Sequence, residues 1–355
     1  MDALPATPQL QAGVLLPTKP LYRLHEIAIR ALYAEVKARA NASGDLLPGT
    51  PGTLVKRAGT GHEYWYRSYY PVPAKRSEQF VGTAGNSAAY EAMQSRIANS
   101  EWTAKQVAAL AKLGYQVADK SVASVLVELR NRRIFEAGMV VVGTLAYLSW
   151  LNEYGAMATA AAAQDMELAR RQTLKLATTV SFLSAMHATQ LPFALVPGMP
   201  GKNPPTSVKL PGAEGRRVNI LAPGPLLGEI VAVPELEWHA QTVPFYDYLL
   251  EGSRAAAALA GGHCIPIMLP QAARMIWHKL YSSTRRSKDP AKAEKDLTQA
   301  ATLAAILVEQ ESALLRESYR EAPRELRNAA HSRLPRLEKL LAEHPQARDE
   351  FRKLR

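Results

Sequence analysis

The chain has 355 residues, 47% hydrophobic and 21% charged, which is a globular composition with room for two or three structural units. Its single cysteine, Cys264, excludes an internal disulfide framework and a cysteine-rich zinc site, and suits a reducing cytoplasm. A net charge of +11 favours polyanionic partners such as nucleic acid, nucleoside triphosphates or acidic lipid.

The N-terminal MDALPATPQLQAG has no basic segment followed by an apolar run, so no secretion signal is expected. The most apolar stretch, Ala137 to Leu151, is too short to span a membrane. Residues 1–20 are rich in Pro, Ala and Gln and read as an irregular arm. LYRLHEIAIRALYAEVKARA (21–40) has apolar residues at helical spacing and predicts an amphipathic helix. A Pro- and Gly-punctuated loop follows at 43–53.

TLVKRAG, HEYWYRSYY and SEQFVGT are short, aromatic or β-branched, and separated by turn residues. They predict a small antiparallel sheet. Its aromatic run, Tyr64, Trp65, Tyr66, Tyr69 and Tyr70, has Arg67, Lys75 and Arg76 nearby. Such a run either buries one aromatic face or stacks bases on a basic surface, and the first is the plainer reading. GTAGNS (82–87) lacks the lysine of a P-loop and reads as a turn.

The pattern from Ser87 to Glu136 is helical, with Ser121 as a candidate N-cap. AGMVVVG (137–143) predicts a buried strand, and GTLAYLSWLNEYG a helix that starts at a glycine turn. The next segment, ATAAAAQDMELARRQTLKLATTVSFLSAM, leans to helix on propensity. Residues 194–215 read as a long loop that carries short strands, RRVNILAPG (216–224) as a strand, and 225–245 as short strands. From FYDYLLEG onward the chain reads as mostly helical. The basic tail Pro323–Arg355 alternates with acidic residues and leucines, and reads as an amphipathic helical hairpin packed on the body. RNA contact is its sharper alternative.

The chemistry turns on AAQDMELAR. If 164–169 is a strand, Asp165 and Glu167 project from one face, because side chains repeat every second residue. Two adjacent carboxylates repel, and a divalent cation relieves that repulsion; Mg2+ prefers such oxygen ligands. The small Gly143 and Thr144 would let backbone amides approach phosphates. If the segment is helix, the two carboxylates are merely solvated. No G-x-S-x-G element supports a hydrolase triad. His263-Cys264 has no second metal-type pair near it in sequence, and His278, beside Trp277, reads as a packed helix residue.

In this order of segments the chain resembles the bacterial nucleotidyltransferase-fold proteins of the DNA polymerase β superfamily, near the minimal and abortive-infection toxin nucleotidyltransferases. The resemblance runs through VVVGTLAYLSWLNEYG, QDMELA, RRVNILAPG, VPFYDYLLEG and residues 265–307, and more weakly through HEYWYRSYY and SEQFVGT. It implies an α+β fold: a nucleotidyltransferase palm (131–242, a mixed sheet with flanking helices), an N-terminal region with helices and a small antiparallel sheet (1–130), and a C-terminal helical domain (243–355).

The resemblance also implies roles. Gly143 and Thr144 form the phosphate-facing turn, and Asp165 and Glu167 are the metal-binding catalytic pair. Asn219 stands where the family usually has a third carboxylate. Lys279, Arg285 and Arg286 face the triphosphate, and Lys295-Asp296 matches a further recurring pair. An ordinary wet basic helix face is the bland reading of Lys279, Arg285 and Arg286.

The implied activity is transfer of a nucleoside monophosphate from NTP, with Mg2+ or Mn2+, to a hydroxyl of RNA or tRNA, a protein or a small molecule. The implied setting is a cytoplasmic protein without a membrane role. A toxin or phage-defence task with an antitoxin-like or neighbouring-gene partner rests on the same analogy. Because Asn219 is neutral and cannot accept a proton, the alternative is a catalytically degenerate palm that binds NTP or RNA.

Overall fold

The run MVVV at 139–142 is apolar and β-branched, and all four residues are buried, as in a strand covered on both faces. In the computed structural model, which describes residues 19–158, 165–198 and 200–354, this strand lies at one end of a mixed seven-stranded sheet.

The elements begin with β1 (Tyr22–Leu24), α1 (Ile27–Ala42), β2 (Thr53–Ala58), β3 (Glu63–Val72), β4 (Lys75–Thr83), α2 (Ser87–Lys112) and α3 (Lys120–Asn131). Then come β5 (Met139–Val142), α4 (Gly143–Glu153), β6 (Ala156–Ala158), β7 (Met166–Arg170), α5 (Phe182–Ala188), β8 (Ala194–Leu195), β9 (Ser207–Lys209), β10 (Arg217–Pro223), β11 (Ile230–Val233) and β12 (Trp238–Val243). The chain continues through α6 (Tyr246–Leu250), β13 (Arg254–Ala260), β14 (His263–Leu269), α7 (Ala272–Arg285), α8 (Pro290–Glu321), α9 (Arg324–His331), α10 (Leu334–Leu340) and α11 (Pro345–Arg352).

The large sheet runs β11–β12–β10–β7–β5, and β9 joins β10 with β8 beyond it. β7 pairs with β10 in parallel and with β5 antiparallel. Register sets Val142 beside Glu167, and Glu167 beside Asn219. Alternation then sorts the two faces. Leu168 and Ile220 meet Leu129 and Ile134 from α3 and its C-terminal turn, together with Phe182 and Ala185 of α5. The opposite face carries Val142, Glu167, Asn219 and Leu221 and borders a cleft lined also by α7.

The structure departs from several sequence expectations. The expected helix over 21–40 opens as strand β1, paired with β6, and α1 begins only at Ile27. Asp119, not Ser121, caps α3, accepting hydrogen bonds from the backbone N–H groups of Ser121 and Val122. The helix-leaning stretch after α4 contains β7, because pairing with β5 and β10 outweighs local propensity. Its alanine run at 160–163 lies outside the described residues, as does nearly all of the arm at 1–20. The region expected to be helical after 245 includes the β13–β14 hairpin. Small alanines let that hairpin pack closely against its neighbours, and Ala256, Ala257 and Ala258 are buried. The tail is three short helices rather than a hairpin, with Leu326, Leu334, Leu337 and Phe351 buried in the main core.

The β2–β3–β4 sheet forms as expected, but its aromatics divide between two faces. Trp65 packs 4.7 Å from Tyr90 of α2. Beside it Arg67 is fully buried and donates to the carbonyls of Pro48, Thr50 and Pro51, so its charge is hydrogen-bonded rather than left bare. Tyr64 and Tyr66 point to the other side.

One carboxylate joins three elements. Glu153, at the end of α4, accepts from the Tyr33 hydroxyl at 2.8 Å and the Ala257 N–H at 2.9 Å, and pairs with Lys37 at 2.5 Å. It ties α1 and β13 to the helix whose other end forms the cleft. Removing a partly buried carboxylate leaves a buried N–H and a cation unpaired. Glu153→Ala is therefore expected to cost about 2–4 kcal/mol in urea unfolding, whereas an exposed control, Glu35→Ala, should change stability by about 0.5 kcal/mol or less.

Candidate active site

The cleft has a volume of about 710 Å³ and is shared by β5, β7, β10, β12, α6, α7 and the start of α8. Among the sequence-predicted residues, Gly143, Glu167, Lys279, Arg285, Arg286 and Asp296 line it. Thr144, Asp165, Asn219 and Lys295 are not in that lining. Thr144 is half-buried one residue into α4, and Asp165 is exposed just before β7. Asn219 stands beside Glu167 on β10 and is flanked by Ser207 of β9.

Gly143 is the turn on which the site is built. Its φ is +69°, in the left-handed region that side chains rarely adopt. A Cβ there would overlap Glu167 Oε2, so only glycine lets the carboxylate lie against the first turn of α4. That position also places the negative charge at the positive end of the helix dipole.

Among the described residues no hydrogen bond or ion pair holds the Glu167 carboxylate. Burial raises its pKa; the nearby charges of Lys279 and Arg286 lower it, and those of Asp296 and Asp165 raise it further. The cations themselves are held elsewhere. Lys279 Nζ pairs with Asp296 Oδ1 at 3.1 Å, and Arg286 Nε lies 2.8 Å from Asp296 Oδ2. Lys279 and Asp296 are both buried. Lys295 belongs to the same electrostatic cluster: burial and the neighbouring Lys279 lower its pKa, and Asp296 and Glu167 oppose them.

These residues suit a hard divalent cation in part. Glu167 brings a carboxylate to the cleft, with the Asn219 amide oxygen beside it in register and Asp165 two residues before it, outside the lining. Burial, which raises the Glu167 pKa, disfavours a bare charge that a bound cation would stabilise. Yet no group of three or more His, Cys, Asp or Glu among the described residues is placed to hold a metal. A cation here would need substrate phosphates to complete its shell, which is the usual way Mg2+ is bound.

The other end of the cleft was not legible in sequence. Pro225, Leu226 and Leu227 come from the β10–β11 loop, and Leu226 and Leu227 are 61% and 71% exposed. Thr242 anchors this loop by donating its hydroxyl to the Leu226 carbonyl at 2.6 Å. Phe245 sits at φ +62°, a strained conformation for a bulky residue that costs about 1–3 kcal/mol. Its ring meets Tyr281 edge-on at 4.9 Å, and the Arg285 guanidinium lies 5.2 Å from the Tyr281 ring. The only available signal was PGPLLGE, an apolar pair between turn residues.

The family described as Nucleotidyltransferase matches residues 120–324, more than half of the chain and across the expected boundaries at 130 and 242. No curated protein and no solved structure matches the chain.

His278 packs into the cleft wall with its Nε2 3.2 Å from the Pro244 carbonyl and its Nδ1 3.4 Å from Ser282 Oγ. Burial lowers its pKa from 6.5 to about 4, helped by Lys279 and Arg286 and opposed by the Pro244 carbonyl and Asp296. The unfolded chain therefore takes up this proton first as pH falls. Stability from His278 is complete above about pH 6.5 and is lost progressively toward pH 4. Over that window His278→Gln should lose up to about 3 kcal/mol less than the parent chain, measured by urea unfolding at each pH.

Proposed function

The chain belongs to that nucleotidyltransferase family, and on this premise we propose that it moves a nucleoside monophosphate from NTP onto an acceptor hydroxyl and releases pyrophosphate. The acceptor oxygen bonds to the α-phosphorus as the bond to the bridging oxygen breaks. The carrying observation is the Val142–Glu167–Asn219 register, which holds a carboxylate, unpaired among the described residues, against Gly143 in the same cleft as Lys279 and Arg286.

In this reading Glu167 and Asp165 hold Mg2+ or Mn2+, which would draw the triphosphate in and offset charge during in-line displacement. Gly143 and Thr144 face the phosphates from the start of α4. Lys279, Arg285, Arg286 and Lys295 supply positive charge, and Asp296 keeps Lys279 and Arg286 in place. The acceptor's proton goes to a carboxylate of the pair or to water, since Asn219 takes none.

Asn219 also favours a second reading, a palm that binds NTP without turnover. RNA or tRNA acceptors, a cytoplasmic site of action, and a toxin or phage-defence role with an antitoxin-like or neighbouring-gene partner stand as extensions of the proposal. Among the described residues no helix is long and apolar enough to cross a membrane.

The decisive experiment incubates the chain with each labelled NTP, Mg2+ or Mn2+, and total RNA. Label should transfer to a product, and Asp165→Ala and Glu167→Gln should each lower the rate at least about 100-fold. Unchanged transfer in both variants would refute the assignment. A chain that binds NTP but transfers only as Asn219→Asp would establish the second reading. Growth arrest on expression, relieved by Asp165→Ala, would mark the toxin role.

A further inference from the structure

We propose that the outward face of the β2–β3–β4 sheet binds single-stranded nucleic acid by stacking bases on Tyr64, Tyr66 and Phe80. The site lies outside the cleft, and nothing in the proposed transfer chemistry uses it.

The face follows from strand pairing. Tyr66 stands between Val55 and Phe80, and Tyr64 beside Arg57. Cross-strand partners share a face, so Arg57, Tyr64, Tyr66 and Phe80 lie together. Trp65 and Arg67 occupy the reverse, packed on α2 and the loop carbonyls at 48–51. The three rings form one group: Tyr66 and Phe80 have centroids 5.6 Å apart, and Tyr64 and Phe80 6.0 Å apart. Among the described residues their ring contacts are only with one another and with His62. Phe80 is 57% exposed. Grouped with two neighbouring rings, it belongs to a patch rather than standing as a lone exposed side chain.

Charge identifies the occupant. Among the described residues the outward face carries two arginines against one carboxylate, Glu78, whereas Arg67 is buried on the reverse. Arg57 and Arg76 stand on the aromatic face, 47% and 51% exposed, and both pair with Glu78. Arg76 also donates to Ser68 Oγ at 2.7 Å. Both arginines are thereby oriented beside the rings, where a phosphate oxygen can replace Glu78 as their partner. Rings that accept any base, flanked by guanidinium groups that accept any phosphate, are the chemistry of single-strand recognition. An apolar protein partner would not call for the arginines, and a duplex keeps its base faces stacked out of reach.

The test measures fluorescence anisotropy of labelled single-stranded RNA, single-stranded DNA and duplex with the full chain. Light scattering and thermal unfolding run in parallel. The single strands should bind more tightly than the duplex, and affinity should fall steeply with salt. Phe80→Ala and Tyr66→Ala should each weaken single-strand binding at least fivefold with the folded state intact. The two strand types show whether the 2′-hydroxyl contributes. Excess NTP should leave the oligonucleotide bound, whether or not nucleotide transfer exists. Absent binding, or equal affinity in the ring variants, overturns the proposal. So does displacement of the strand by NTP, which would put it in the cleft. A dimer that Phe80→Ala dissociates would assign the face to a second copy instead.

Discussion

The site depends on a carboxylate that has no hydrogen-bond or ion-pair partner among the described residues. Glu167 is half-buried, lies against a helix start, and shares its cleft with Lys279 and Arg286. An ammonium and a carboxylate in one cleft close on each other unless another anion holds the ammonium. Asp296 is that anion. By taking Lys279 and Arg286 at 3.1 and 2.8 Å, it leaves their field acting on the cleft while keeping them off Glu167. Opposite charges thus stay apart across a space that an anionic ligand and its cation can share.

Backbone geometry protects the same arrangement. Pairing of β7 with both β5 and β10 fixes which way Glu167 points, and a one-residue slip would send it into the apolar layer with Leu168. Gly143 then removes the one atom that would push the carboxylate away. The far end of α4 is tied by Glu153 to α1 and β13, and its Trp150 donates to the Pro270 carbonyl at 2.9 Å, just before α7. The helix that begins at the site is therefore connected to the element that carries Lys279.

Much of this was legible because the signals were chemical. MVVV followed by glycine reads as a buried strand and a turn, and three aromatic or β-branched runs separated by turn residues read as a sheet. The acidic pair was ambiguous, since QDMELAR suits a helix by propensity and becomes a strand only through partners far along the chain. The β13–β14 hairpin escaped notice for a related reason: RAAAALA carries a helix former at nearly every position, and only burial between two layers makes alanine useful in a strand. The joining of Lys279 to Asp296 depends on how α7 and α8 meet, which no local pattern encodes.

The cleft has two ends with different physical character. At one end oxygen ligands and cations meet at the mouth of a helix, where charge can be gathered from a ligand. At the other, Leu226 and Leu227 stand in water on a loop anchored by Thr242, and strained Phe245 holds its ring against Tyr281. The exposed leucines carry a cost in water and border the same cleft as Glu167 and Lys279. A ligand whose flat apolar end covered Leu226 and Leu227 while its anionic end met Lys279 would satisfy both ends of the cleft, whereas inorganic phosphate alone would leave the leucines in water.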